Sequence, residues 1–283
     1  MSRLRKALEK AKEAREIDGD TLLEKSESTH TITKSHGEKR KKYRHNIHVT
    51  YSKTKVVNIE PRTFRRNKII SLFHENKVTD QMKTLRTQVL NKLEALGGNS
   101  LLVTSANPGE GKTFTAINLG VSIAQELDRT VVLVDADLRH PPIHHYDFAK
   151  DFFGLDVSKG LSHYLMGQVE IPDILLNPGI QRFTILPSGQ ALPNSAEVLG
   201  SPRMESLVIE LKNRYRDDRI IIFDSPALMV CADAAVLSRF VDGVLLVVEA
   251  EETSQNDLKR VMELLEGRPI VGSLLNKAKG QRN

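Results

Sequence analysis

From residue 100 onward the chain alternates short apolar runs with amphipathic stretches. The runs fall at 101–104, 131–134, 183–186, 220–223, 244–248 and 270–275. Continuous apolar runs of this length belong to strands buried on both faces, as in a parallel sheet. Between them, apolar residues recur at helical spacing near 113–127, 196–214, 232–239 and 254–266. Strand and helix in alternation predict a doubly wound, mostly parallel α/β sheet. Upstream, Met82, Leu85, Val89, Leu93 and Leu96 form the apolar stripe of a helix over 78–96, with Thr79 as its expected N-cap and Gly97-Gly98 as its stop. Residues 49–57 suit one short extended segment. Residues 18–48 are polar and turn-rich and read as a disordered linker. Residues 3–16 carry Leu4, Ala7, Leu8, Ala11 and Ala14 on one side of a short basic helix. The expected organisation is therefore a basic helix and linker over 1–48, an extended segment and amphipathic helix over 49–98, and an α/β domain over 99–283.

Composition adds two exclusions and one partner class. No apolar run approaches the ~20 residues of a membrane span, and the first residues are charged rather than signal-like. The single cysteine, Cys231, excludes an internal disulfide and a Cys-built zinc site, so a reducing cytoplasm is expected. The net charge of +5 is unevenly shared. Residues 1–98 hold 23 Lys and Arg against 12 Asp and Glu, a net of +11; the rest holds 18 against 24, a net of −6. A basic arm on an acidic domain points to an anionic membrane surface or an acidic partner for residues 1–48. The run Lys39-Arg40-Lys41-Lys42 has no aromatic stacking platform beside it, so nucleic acid is not the expected partner.

The chemistry follows the strand ends. The first strand runs into Ala106-Asn107-Pro108-Gly109-Glu110-Gly111-Lys112-Thr113-Phe114, and a helix follows at once. Gly-x-Gly-Lys-Thr in that context is a phosphate loop. Glycines let backbone N–H groups turn toward an anion, the helix N-terminus adds partial positive charge, Lys112 reaches the β- and γ-phosphates, and the Thr113 hydroxyl binds Mg²⁺. Ala106 stands where the common pattern has its first glycine. The second strand ends in Asp135 and Asp137, which strand spacing would put on one side, facing the phosphates. One of the pair would hold Mg²⁺ and the other accept a proton. The strand at 220–223 ends in Asp224, a second carboxylate on the metal side. The last strand ends Asn276-Lys277-Ala278-Lys279. GTPases place an acidic acceptor for guanine where Lys279 stands, so Asn276 is expected at an adenine edge and the nucleotide at ATP. His140, His144 and His145 read as a solvated loop rather than a metal site, since Mg²⁺ prefers oxygen.

Together these segments resemble the bacterial tyrosine kinases of exopolysaccharide and capsule loci. The matching stretches are SANPGEGKTFTAINLG, VVLVDADLRHP, IIIFDSP, LPSGQALPNSAEVLGSPRMESL, GLSHYLMG and VGSLLNKA, spread over residues 78–279. MSRLRKALEKA and VTYSKTKVV further resemble the branch encoded beside PEP-CTERM/exosortase loci. The resemblance implies a MinD/ParA-like P-loop fold, Mg-ATP as cofactor, tyrosine autophosphorylation in trans within a ring-like homo-oligomer, and a membrane-bound chain-length regulator as activator, with the chain peripheral to the inner membrane. It also implies self-association through Asp80, Lys83 and Arg86, where the family has an acid and two arginines at the same spacing. Family members usually end in a tyrosine cluster. Here the tyrosines are Tyr43, Tyr51, Tyr146, Tyr164 and Tyr215. An acceptor must reach a neighbouring active site from a flexible segment, which selects Tyr43 or Tyr51. Two other functions compete: a ParA/MinD-type positioning ATPase, against which Asn107 counts because those proteins carry a lysine there, and a non-catalytic ATP-binding scaffold.

Overall fold

The computed structural model describes residues 54–73, 77–139, 148–213 and 218–279. Eight strands form one sheet in the order β1-β4-β5-β3-β6-β2-β7-β8. They are β1 (Lys55–Val56), β2 (Ser100–Ser105), β3 (Thr130–Asp135), β4 (Leu176–Asn177), β5 (Phe183–Leu186), β6 (Arg219–Asp224), β7 (Gly243–Glu249) and β8 (Ile270–Asn276). Every pairing is parallel except β4 with β5. The six apolar runs are β2, β3, β5, β6, β7 and β8. Side chains alternate between two cores, as a period of two requires. Leu101, Val103, Val131, Leu133, Ile220 and Ile222 enter one cluster; Leu102, Val132, Val134, Ile221 and Phe223 enter the other.

Four long helices cover these faces: α1 (Lys77–Ala95), α2 (Lys112–Ala124), α3 (Pro202–Asn213) and α4 (Gln255–Leu264). α1 and α2 lie on the first cluster, α3 and α4 on the second. α2 is buried from Thr115 to Ala124 because α1 covers the side turned away from the sheet. α1 buries Met82, Leu85, Val89 and Leu93 as the periodicity predicts, but its fifth apolar position is Leu90, and Leu96 is 52% exposed beyond the helix end. Thr79 is no N-cap. The helix starts at Lys77, and the buried Thr79 hydroxyl donates to Phe73 O at 2.9 Å, tying α1 to the turn before it. The helix stops as expected, with Gly98 N–H donating to Leu93 O at 2.9 Å. The helix expected near 196–214 is two, Ser195–Leu199 and α3, because Pro202 at N1 keeps Ser201 out of the helical region and Ser201 Oγ accepts the Met204 N–H.

The segment 54–73 belongs to the same body as the sheet rather than to a separate one. β1 pairs with β4, Phe64 and Ile69 enter the first core, and Asn118 of α2 holds the segment by accepting from Ser71 N and donating to Lys68 O. Where β2 and β7 begin side by side inside the sheet, Asp242 fixes the start of β2. Its Oδ2 accepts from Asn99 N at 2.9 Å, Ser100 N at 3.0 Å and Ser100 Oγ at 2.7 Å, while Oδ1 pairs with Lys212. Burial alone would raise this carboxyl, but the bonds from Lys212, Ser100 and Asn99 outweigh it and hold it below the ordinary carboxylate range. A depressed acid contributes stability that is present above its unfolded pKa of about 4 and lost as pH falls through the folded value. Asp242→Ala is expected to cost about 1.5–3 kcal/mol at pH 7. Urea titrations should show that penalty shrinking as the pH is lowered from about 5 toward 3, whereas a penalty constant over that range would refute the assignment.

Candidate active site

The site forms where β2, β3 and β6 end side by side. β2 runs through Ser105 into the loop, and α2 begins at Lys112. Gly109 and Gly111 take φ of 83° and 96°, which side chains rarely tolerate. At Gly111 a Cβ would also stand 2.1 Å from Asn276 Nδ2. Left-handed glycines leading into a helix start are the backbone arrangement of an anion nest.

β3 and β6 are neighbours, and their register sets Asp135 opposite Asp224. Both carboxylates are almost wholly buried, at 2% and 3% exposure. Asp135 Oδ1 accepts the Asp137 N–H at 3.1 Å, and Ser188 lies near enough to the carboxylate to act against the effect of burial on it. β3 therefore ends at Asp135, and the spacing of two does not put Asp135 and Asp137 on one strand face; Asp137 stands past the strand, half-buried. Burial pushes Asp135 up to about 7, with the Asp137 charge adding to it. Burial likewise pushes Asp224 up to about 8. There the Lys112 ammonium and the Thr113 hydroxyl act against it, and the charges of Asp135 and Asp137 act with it. Lys112, Thr113, Asp135, Asp137 and Asp224 are thus brought together.

Asp135 Oδ2 and Asp224 Oδ1 are buried without a hydrogen-bond partner. Neighbouring buried carboxylates with orphaned oxygens are costly unless a cation completes them. Among the described residues no three His, Cys, Asp or Glu side chains gather around one point. The donor set, two carboxylates and a threonine hydroxyl, fits Mg²⁺, which keeps few protein ligands and takes the rest from phosphate and water.

Ser188 was not visible in the sequence pattern. It reaches Asp135 from the loop after β5, and the GLSHYLMG stretch holds that loop: Leu161 N–H donates to Pro187 O at 2.7 Å and Ser162 N–H to Ser188 O at 2.9 Å. The approach is close enough that a Cβ on Gly160 would stand 2.2 Å from Pro187 O. The paired glycines, Gly160 and Gly189, were the available signal for this contact.

Other expected contacts take different places. Asn276, expected at an adenine edge, donates its Nδ2 to Glu110 O at 2.8 Å and so holds the phosphate loop. Asn107 Nδ2 donates to Asp257 Oδ2 at 3.2 Å. Pro108 and Gly109 are exposed, while the Glu110 side chain is buried and Phe114 is half-buried against the first core. On α1, Asp80 and Lys83 pair with each other at 2.8 Å on the exposed side. Arg86 turns inward: Nη1 donates to Ser122 O at 2.8 Å, and Nε lies 3.0 Å from Glu126 Oε1, at ion-pair distance though off hydrogen-bond alignment. Arg139 Nη1 donates to Val230 O at 3.2 Å, tying the loop after β3 to the loop after β6. Tyr164 is buried under the Arg203 guanidinium, 4.7 Å from its ring centre. Tyr43, Tyr51, Tyr146, Tyr215, His140, His144 and His145 lie outside the described residues, as do 1–48.

Known proteins share this fold. The family model described as AAA domain matches residues 100–268. Tyrosine-protein kinase YwqD of Bacillus subtilis (strain 168) is 31% identical over 217 residues, which are 76% of this chain and 87% of YwqD. The kinase domain of Escherichia coli tyrosine kinase ETK superposes with a TM-score of 0.67 at 26% identity, covering 81% of this chain and 92% of that one. The septum site-determining protein MinD of Pyrococcus horikoshii OT3, in complex with Mg-ADP, shares the fold at a TM-score of 0.52 and 24% identity, over 65% of this chain and 73% of MinD. Fold and site thus define a P-loop nucleotide-binding protein. Within that class, the chain belongs to the bacterial tyrosine kinase family.

Proposed function

We propose that the chain binds Mg-ATP at the Lys112–Asp135–Asp224 cluster and transfers its γ-phosphoryl group to tyrosine, regulating exopolysaccharide biosynthesis or export together with a membrane-bound chain-length regulator. The observation that carries this reading is the pair of buried carboxylates, each with an orphaned oxygen, beside the lysine and threonine of a phosphate loop. Lys112 lies where it would neutralise the β- and γ-phosphates. Thr113, Asp135 and Asp224 would hold Mg²⁺, which supplies charge neutralisation on the phosphates when bound. Asp137, further out and less buried, takes the proton of the incoming phenol. Asn107, bonded to Asp257 of its own chain, does not support the ParA/MinD alternative.

The partner and location readings extend this one. Residues 1–48 carry the excess positive charge and are the segment suited to an anionic membrane surface or to the regulator, which would put the chain at the cytoplasmic side of the membrane. No helix among the described residues is long and apolar enough to cross a membrane. Homo-oligomerisation through α1 would use Asp80 and Lys83, with Arg86 bracing α1 against α2 rather than reaching out. Tyr164 is buried and so a poor acceptor, and the need for an acceptor on a flexible segment favours Tyr43 and Tyr51.

Incubation of the full chain with Mg-ATP, with and without the regulator, followed by phosphotyrosine detection and mass spectrometry tests this. Phosphate on Tyr43 or Tyr51 is the expected result. ATP binding without phosphotyrosine under either condition would favour an ATP-binding scaffold.

A further inference from the structure

We infer that Glu110 is a positioning residue of the nucleotide site: together with Thr253 it locks the phosphate loop to the connection between β7 and α4, and this lock sets the affinity for the phosphates. The inference rests on the reading of this loop as the nucleotide's phosphate site.

A buried carboxylate is an unexpected group in a loop that receives a polyanion. Like charges repel more strongly where water is excluded. A residue that served only to fill space here would be apolar. Glu110 is 3% exposed, and each of its acceptor groups is used. Oε2 accepts the Ala106 N–H at 3.0 Å, closing the first residue of the loop onto its end. Oε1 accepts the Thr253 hydroxyl at 2.6 Å. The main-chain oxygen accepts Asn276 Nδ2 at 2.8 Å. Thr253 is itself held, since its Oγ1 accepts the Glu249 N–H at 2.9 Å and its own N–H donates to Glu249 O at 3.1 Å. The first turn of α4 takes the other end of the loop, where Asn107 donates to Asp257, whose own N–H donates to the N-cap Ser254.

The physical need for the lock comes from the residues on either side. Gly109 and Gly111 flank Glu110 and both hold positive φ. Glycines provide that conformation without strain, but they also give the backbone the most freedom to leave it. The loop's shape is therefore not secured by its own backbone. It is secured by the one long side chain between the glycines and by its partner across the connection. Ordering the loop before the ligand arrives removes that entropic cost from binding.

The test uses the full chain and equilibrium binding of a fluorescent ADP analogue with Mg²⁺, alongside melting temperatures. Glu110→Ala and Thr253→Val are each expected to weaken binding about tenfold. Thr253→Ser keeps the hydroxyl and should bind within about twofold of wild type. Because the two side chains act as one unit, the double variant should bind no more weakly than the worse single one. A Glu110→Ala protein that melts cooperatively and binds like wild type would overturn the inference, as would fully multiplicative losses in the double variant. Should Glu110→Ala fail to fold, the contrast of Thr253→Val with Thr253→Ser decides: equal affinities overturn it. A wild-type chain that binds no adenine nucleotide would overturn the nucleotide reading itself, which is a different result from wild-type binding that Glu110 does not affect.

Discussion

Replacing Lys112 with methionine is expected to lower phosphoryl transfer by about 10²–10³-fold, the range seen when one preorganised group facing developing charge is removed. Methionine keeps most of the stem, so packing at the start of α2 should survive. What disappears is the ammonium that offsets Asp224 and, on the proposed reading, would face the phosphates. Catalysis at such sites is mostly positioning and charge neutralisation, so one missing charge has a large effect. The losses should appear in kcat as well as in nucleotide affinity, because the transferring group carries its charge in the transition state too. Lys112→Arg separates charge from shape: it keeps the positive charge in a larger, planar group, and should recover only part of the loss. Single-turnover transfer measured for the three proteins checks this, and wild-type rates in Lys112→Met would remove Lys112 from the site.

The sheet was legible because its inner strands are buried on both faces, while the edge strand β8 keeps an apolar run although only Val271 in it is buried. Each of β2, β3, β5, β6, β7 and β8 announces itself as an apolar run that no helix period explains. β1 and β4 are two residues long each and leave no period to detect. Their place depends on a contact between segments about 120 positions apart, where Lys55 faces Leu176. The same holds for segment 54–73, which joins the core through Phe64 and Ile69 rather than through a continuous pattern. The break at Pro202 was within reach of local rules, since a proline preceded by serine is an N-terminus rather than a helix interior.

The site divides in the same way. Lys112 and Thr113 open α2, and Asp135 and Asp224 close β3 and β6, so local context assigns them. Ser188, Thr253 and the contact of Asn276 with Glu110 depend on which loops the fold brings together, and no spacing along the chain encodes that. Arg86 shows a limit of spacing itself. Steps of three residues on a helix turn by about 300°, so two steps leave a side chain roughly 120° from where it began. Asp80 and Lys83 consequently share an exposed face, while Arg86 has rotated onto α2 and meets Ser122 and Glu126.

Asp224→Asn should separate stability from function. Transfer is expected to fall at least about 100-fold, because the variant loses a charged oxygen from the Mg²⁺ side of the site. The metal-free protein should at the same time become more stable. In wild type, burial raises Asp224 to about 8 and Asp135 to about 7, and each leaves an oxygen unpaired beside the other. An acid with a raised folded pKa holds its proton over a range where the unfolded chain, at about 4, has released it. Stability then falls as pH rises from about 4 toward 8. Asparagine does not titrate and removes the repulsion on Asp135, so the variant's advantage should be small near pH 5 and largest near pH 8. An advantage on the order of 1 kcal/mol corresponds to a melting temperature about 2–4 °C higher for a chain of this size. Melts in a chelating buffer at both pH values check the sign. Adding Mg²⁺ and nucleotide should reverse the order, because ligand binding stabilises only the protein that still binds. A variant no more stable than wild type at pH 8 would mean that Asp224 is already compensated without metal, and that its orphaned oxygen is not where the cation belongs.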